Sequence, residues 1–318
     1  MVRLGRSDLE VFGLCLGGNV FGWTADEQQS FAVLDAYVEA GGNFIDTSDS
    51  YSAFAPGNVG GESEAVLGEW FAARGNRASI VLATKVGRKP DRPGLSAANI
   101  RVALEESLER LHTDYIDLYY AHADDPNTPL DETLTTFDEL IKEGKVRHMA
   151  ASNYSAPRLQ EALGTSDREG LARYVALQPH YSLVEREHYE GPLADLCERE
   201  GLSCVPYWAL ARGFLTGKYR PGGATVDSPR AGQASGYLDD RGIRVLDALD
   251  QVARAHGATV ASVALAWVGA QPGVAAPIAS ARNPEQLADL LPAAELELSP
   301  DELRELADAS LQSASSMS

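Results

Sequence analysis

Ile80-Val81-Leu82-Ala83-Thr84-Lys85-Val86 and Ile116-Asp117-Leu118-Tyr119-Tyr120-Ala121-His122 are two short, β-rich apolar runs separated by one stretch with helical spacing. Between them Ile100, Leu104, Leu108 and Leu111 recur at intervals that line one face of a helix, and Ser96 stands where an N-cap is expected. Near-continuous apolar runs suit parallel strands buried on both faces. Strand, helix, strand is the unit from which parallel sheets are built.

The unit repeats along the chain in both directions. Leu14–Gly18, Asn43–Asp46, Val146–Ser152, Tyr174–Gln178, Ser203–Tyr207 and Val274–Ala279 bring the candidate strands to eight. Helical stripes lie between them at Phe31, Leu34 and Val38, at Leu134, Phe137 and Ile141, and at Leu246, Leu249 and Ala253. Gly41-Gly42, Gly144 and Gly201 follow such stripes, where a C′ glycine is expected. Eightfold alternation fits either a closed (β/α)₈ TIM barrel or a doubly wound sheet, and pattern alone leaves both open. No composition break or linker divides residues 1–318, so one α/β domain is expected. Gly213 to Tyr237 interrupts the rhythm, rich in Gly, Pro and Ser and without periodicity. A loop that long is commonly functional, and a clamp is expected around 213–240. The tail after Leu311 is expected to fray.

Composition narrows the partners. A net charge of −19 repels phosphate backbones and acidic lipid, so neither nucleic acid nor a membrane surface is expected as a partner. Any phosphorylated ligand would need Arg and Lys gathered locally against that field. Cys15, Cys197 and Cys204 lack metal-ligand spacing and read as reduced, buried thiols. With no signal-like start and no apolar span of ~20 residues, a cytoplasmic location is expected. The six histidines show no pairing such as His-x-x-x-His, so no metal site is expected. Gly17-Gly18-Asn19-Val20-Phe21-Gly22 does not match Gly-x-Gly-x-x-Gly, which argues against a Rossmann dehydrogenase.

Four ionisable residues stand at or just beyond the C-terminal ends of three consecutive runs: Asp46, Tyr51, Lys85 and His122. In a parallel barrel those ends share one rim, where such enzymes keep their active sites. A free tyrosine, with a pKa of about 10, is a weak acid at neutral pH. A buried Lys85 ammonium beside Tyr51 is expected to pull that phenol down, with Asp46 pairing Lys85 and His122 orienting a carbonyl. Each residue also has an ordinary reading: a cap for Asp46, surface packing for Tyr51, a solvated Lys85, a structural His122. Their joint placement favours chemistry.

Asn43-Phe44-Ile45-Asp46-Thr47-Ser48-Asp49-Ser50-Tyr51, Thr84-Lys85-Val86 and Asp117-Leu118-Tyr119-Tyr120-Ala121-His122 resemble the aldo/keto reductase superfamily, and the resemblance covers essentially the whole chain. It implies a (β/α)₈ barrel, an extended nicotinamide cofactor over the strand ends, and Asp46, Tyr51, Lys85 and His122 as a catalytic tetrad. Histidine at 122, where relatives that reduce carbon–carbon double bonds often carry Glu, favours carbonyl reduction. The resemblance also implies cofactor contacts from Gly18, Asn19 and Val20. It assigns Ser152, Asn153 and Gln178 to the nicotinamide carboxamide, and Tyr207 to stacking under the ring, with Trp208 beside it. Leu210, Arg212, Gly213, Leu215, Gly217 and Lys218 resemble the pyrophosphate loop. Ser280, Arg282 and Gln286 align with positions that meet the 2′-phosphate, which favours NADP(H), since an arginine fork suits a phosphate.

Three departures from the family pattern stand out. Trp208 occupies a position usually small; Leu290 replaces an asparagine often used for adenine, leaving Asp289 as the base contact; Ala123 follows His122 where many relatives are bulky. Trp23 and Phe54, with Tyr51 and His122, are expected to line the pocket for a small-molecule carbonyl substrate. Other readings of such a chain are a redox-sensing subunit with little turnover, like the channel-associated relatives, and a keto-sugar reductase. The oligomeric state is left open.

Overall fold

The computed structural model describes residues 1–224 and 226–311; the tail expected to fray lies outside the described residues. Eight parallel strands are formed: β1 (Cys15–Gly17), β2 (Phe44–Asp46), β3 (Val81–Val86), β4 (Ile116–Ala121), β5 (Val146–Ser152), β6 (Ala176–Gln178), β7 (Ser203–Cys204) and β8 (Ile278–Ala279). They lie side by side in the order β7-β6-β5-β4-β3-β2-β1-β8. The two ends of that row meet where Cys204 bridges Val274 in parallel, the Cys204 N–H donating to Gly273 at 2.7 Å and the Ala275 N–H to Cys204 at 2.9 Å. A sequential, closed order is a (β/α)₈ barrel; a doubly wound sheet reverses its order and keeps two edges.

The last two strands are shorter than their apolar runs. Pro206 and Pro277 fall inside those runs, and proline has no N–H to offer the ladder. Two antiparallel ribbons were beyond reach of the sequence, because two-residue strands carry no periodicity. Val2–Arg3 pairs with Glu10–Val11, and Arg88–Lys89 with Arg92–Pro93. The first sends Leu4, Leu9 and Val11 into the inner core and closes the N-terminal end of the barrel. Chemistry is left to the C-terminal mouth.

Strand alternation decides what faces the axis. Phe44, Val81, Ala83, Leu118, Tyr120, Ala150, Ala176 and Val205 form the inner core, while Ile45, Leu82, Tyr119, Met149 and Leu177 pack outward beneath the helices. Each such fully buried leucine or phenylalanine contributes roughly 1.5–3 kcal/mol. Stepping two residues on from Phe44, Ala83 and Tyr120 reaches Asp46, Lys85 and His122. The inner rows therefore deliver these polar side chains to the mouth.

The expected stripes are helices: α1 (Glu27–Glu39), α3 (Ala97–Arg110), α4 (Leu130–Lys142) and α8 (Asp240–His256), joined by α2 (Glu62–Arg74), α5 (Ala156–Glu169), α6 (Pro192–Glu200), α7 (Ala231–Ser235), α9 (Val260–Gly269), α10 (Pro284–Ala288) and α11 (Pro300–Ala309). Ser96 caps α3 by accepting from the Asn99 N–H, and an Asp26–Gln29 capping box opens α1. Gly201 ends α6 at φ 67°, a conformation that suits glycine. The aperiodic stretch is more ordered than expected. It begins in a 3₁₀ turn, Ala211–Thr216, and contains α7, whose five residues are too few to show a period. The three cysteines are free and buried. No helix among the described residues is long and apolar enough to cross a membrane.

Candidate active site

At the mouth the Lys85 ammonium donates three hydrogen bonds: to Asp46 Oδ2 at 2.7 Å, to the Thr47 carbonyl at 2.7 Å and to the Tyr51 hydroxyl at 2.8 Å. An ammonium has three protons, and all are used. Tyr51 in turn donates to Asp46 Oδ2 at 2.9 Å, and the Gln178 amide donates to Asp46 Oδ1 at 2.9 Å. Lys85 and Asp46 are almost wholly buried. Burying such a pair costs several kcal/mol per ion, offset here by their mutual attraction, by hydrogen bonds from all three ammonium protons and by bonds to both carboxylate oxygens.

The electrostatics correct one expectation. Burial, then the Asp46 carboxylate, hold the Tyr51 phenol well above its ordinary value instead of depressing it. Lys85 was expected to win, but Asp46 sits on the same oxygen and desolvation opposes the phenolate. Burial also lowers Lys85, against the pull of Asp46. His122 is held well below its usual range by burial, then by Lys85 and Arg88, so its ring is neutral.

Residues beyond the four ionisable ones hold the imidazole. His122 Nδ1 lies 3.2 Å from the Ser48 hydroxyl, which turns the other ring nitrogen free of it. The His122 carbonyl accepts from Asn153 Nδ2 at 2.9 Å. Asn153 Oδ1 accepts from the Tyr207 hydroxyl at 2.7 Å, and the Ser152 hydroxyl donates to the Gln178 carbonyl at 2.9 Å. Ser152, Asn153, Gln178 and Tyr207 thus form one network against the tetrad. Ser48 carried no signal of its own, lying 74 positions from His122.

The aldo/keto reductase family model matches residues 13–310, nearly the whole chain. This chain belongs to the aldo/keto reductase family. It is 35% identical to the uncharacterized oxidoreductase YrpG of Bacillus subtilis, across 96% of this chain and 94% of the relative. It is 32% identical to norsolorinic acid reductase of Aspergillus flavus, across 95% of this chain and 78% of the relative. A probable voltage-gated potassium channel subunit beta of Oryza sativa subsp. japonica is 32% identical, across 90% and 88%. The family is one of oxidoreductases that typically depend on NAD(P)H.

The remaining stretches of this aldo/keto reductase surround the same mouth. The Gly18 N–H donates to the Asp46 carbonyl at 2.7 Å, and Asn19 Oδ1 accepts from the Ser280 hydroxyl at 2.7 Å, joining β1 to the segment after β8. Val20 is buried, its carbonyl accepting from the Trp23, Thr24 and Ala25 N–H groups. Of six non-glycine residues at positive φ among the described residues, four are Asn153, Trp208, Ala211 and Arg212. Such backbone costs of order 1–3 kcal/mol each and clusters where a ligand is held. Gly213 at φ 98°, between half-buried Leu210 and buried Leu215, and Gly217 at φ 81° continue the turn. Arg212 stacks over Trp208 at 3.7 Å, its Nε buried without a partner. Lys218 is lowered by burial and by the neighbouring Arg282. Two adjacent cations and an orphaned guanidinium nitrogen fit the phosphates of a dinucleotide. Gln286 Oε1 accepts from the Arg282 N–H, fixing that backbone. Asp289 is exposed and Leu290 buried.

Trp23 and Phe54 meet edge to face at 4.7 Å, Phe54 mostly exposed, while the Tyr51 and His122 rings lie 6.3 Å apart. Ala123 is half-buried. Sequence spacing gave no pairing of histidines, but in the fold His180, Glu185 and His188 come together, with one ligand atom of each within 4.8 Å of the others. The loop after β6 folds back, which sequence spacing does not reveal. The His180 and His188 rings are stacked, 5.0 Å apart at 18°, so one ring must turn before both lone pairs can aim at one ion. His180 also lies against Tyr207 at 5.5 Å, and burial pushes its pKa down to about 4.

Proposed function

We propose that this aldo/keto reductase is an NADPH-dependent carbonyl reductase, one domain over residues 1–318 whose stretch around 213–240 clamps the cofactor. The observation that carries the reading is the Lys85 ammonium bridging Asp46 and the Tyr51 hydroxyl at the barrel mouth. When bound, the reduced nicotinamide supplies the hydride. Ser152, Asn153 and Gln178 would orient its carboxamide, Tyr207 would lie under its ring, Arg212 and Lys218 would meet the pyrophosphate, and Arg282 the 2′-phosphate.

The protein's own part is proton chemistry and positioning. His122, neutral and held at Nδ1 by Ser48, directs its other nitrogen at the carbonyl oxygen. Tyr51 keeps its proton at neutral pH because burial and Asp46 hold it there. As negative charge grows on the carbonyl oxygen, that oxygen becomes far more basic than a phenolate and takes the proton. The Lys85 ammonium, already 2.8 Å away, then meets the charge left on Tyr51. Asp46 holds Lys85 in position throughout.

Likeness to a channel subunit keeps a redox-sensing role as the second reading. The complete proton-donor arrangement supports turnover. Titrating NADPH and NADH by fluorescence, then following NADPH consumption with aldehydes, quinones and ketones, tests both. Tight NADPH binding with no oxidation by any carbonyl overturns the reductase.

A further inference from the structure

Arg230 is a cation without a counter-charge. It precedes α7, is half-buried, and its guanidinium stands 5.3 Å from the centroid of the Trp23 ring, which packs against Phe54. In a chain with 46 acidic and 27 basic residues, no carboxylate among the described residues pairs with Arg230; its backbone N–H reaches the Ser228 hydroxyl. Two arginines of similar burial are paired, Arg110 with Glu64 at 2.7 Å and Arg186 with Glu190 at 2.8 Å. Burial, and then Arg212, disfavour the Arg230 charge. Trp23 ties Arg230 to the loop that carries Tyr51: its ring packs on Phe54, and the Ser52 hydroxyl donates to the Phe21 carbonyl at 3.0 Å. From another element, the ribbon after β3, exposed Arg88 acts on both His122 and Tyr207.

Arg212, Lys218 and Arg282 suffice for the phosphates of the cofactor. Arg230 shares its surroundings with Trp23 and, through Phe54, with the loop that carries Tyr51. A partly desolvated guanidinium with no acid nearby is costly unless a ligand brings the missing charge. Its planar fork matches an oxyanion in two hydrogen bonds.

We propose that this site selects carbonyl substrates bearing a carboxylate or phosphate group, which Arg230 holds while Trp23 covers the apolar part between that anion and the carbonyl. The proposal rests on the carbonyl-reductase reading. The anionic group makes and breaks no bond: hydride goes to the carbonyl carbon, the Tyr51 proton to its oxygen.

The test compares 4-carboxybenzaldehyde and 4-formylphenyl phosphate with the neutral methyl 4-formylbenzoate, in wild type, Arg230→Gln and Arg230→Lys. In wild type, kcat/KM for at least one anionic aldehyde should exceed that for the ester by about tenfold or more, and whichever anion leads names the source. Arg230→Gln should abolish that preference, and Arg230→Lys should restore part of it, keeping charge without the fork. A wild type without the preference overturns the proposal, as does an Arg230→Gln variant that keeps it. NADPH affinity is measured in parallel, and a loss there matching the loss in kcat/KM reassigns Arg230 to the cofactor. Benzoate and benzamide are also titrated into the NADP⁺ complex by tryptophan fluorescence. If no aldehyde is consumed, carbonyl reduction fails alone. Benzoate binding that depends on Arg230 then still upholds the anion site, and its absence sinks it.

Discussion

The Tyr51 oxygen accepts a 2.8 Å hydrogen bond from the Lys85 ammonium while its own proton points 2.9 Å away to Asp46. Donor and counter-charge thus meet on one atom. In the proposed reaction the Tyr51 proton turns from Asp46 to a substrate oxygen, and the ammonium is in place before it does. On that reading the phenol is stored protonated, and Lys85 acts on the phenolate that the transfer leaves.

Removing the hydroxyl separates chemistry from binding. Tyr51→Phe should lower kcat by at least about two orders of magnitude, the low end for lost acid–base catalysis. NADPH affinity, measured by fluorescence titration, should change less than about twofold, because no expected cofactor contact depends on that oxygen. Turnover near the wild-type rate would remove Tyr51 from its role.

Lys85 and Asp46 should behave as a unit in folding. Lys85→Met leaves a buried carboxylate without its partner and should destabilise by about 3–5 kcal/mol in urea unfolding. The double variant Lys85→Met, Asp46→Leu removes both charges and should recover a large part of that loss. Additive losses would mean that the pair is not coupled.

The eight strands were legible because eight apolar runs alternate with helical stripes. The choice of a barrel over a doubly wound sheet came from the family resemblance. The convergence of Asp46, Lys85 and His122 could be anticipated because three of those runs end in ionisable residues. What escaped the sequence is long-range or short-period. Two-residue ribbons show no alternation, so the plug formed by Leu4, Leu9 and Val11 left no trace. Ser48 reaches His122 across 74 positions, and Arg230 approaches Trp23 across more than 200. Tyr51 illustrates the electrostatic limit. Sequence named its cation, but only the fold reveals that Asp46 and burial outweigh it.

On the proposed cofactor reading, Arg282 meets the 2′-phosphate of NADPH. Arg282→Ala should weaken NADPH by about tenfold or more while NADH loses less than about threefold, since NADH carries no 2′-phosphate. Both constants come from the same fluorescence titration. Equal losses would contradict the assignment.

Asp49 lets pH report on the loop that carries Tyr51. It is buried, and burial, then the Glu64 carboxylate, raise its pKa to about 7, against the Ser48 hydroxyl, Arg110 and Lys89. An acid whose folded pKa lies above its unfolded value binds more protons folded than unfolded between the two. Its contribution is complete below about pH 4 and is lost as pH rises toward about 7. Asp49→Asn removes that dependence. Relative to wild type, the variant should therefore gain about 2–3 kcal/mol between pH 5 and pH 8 in urea unfolding. Parallel stability curves for the two proteins would show that the Asp49 carboxyl titrates alike in both states. Because Ser48 touches both Asp49 and His122, a shift in the pH profile of kcat for the same variant would tie that titration to the imidazole.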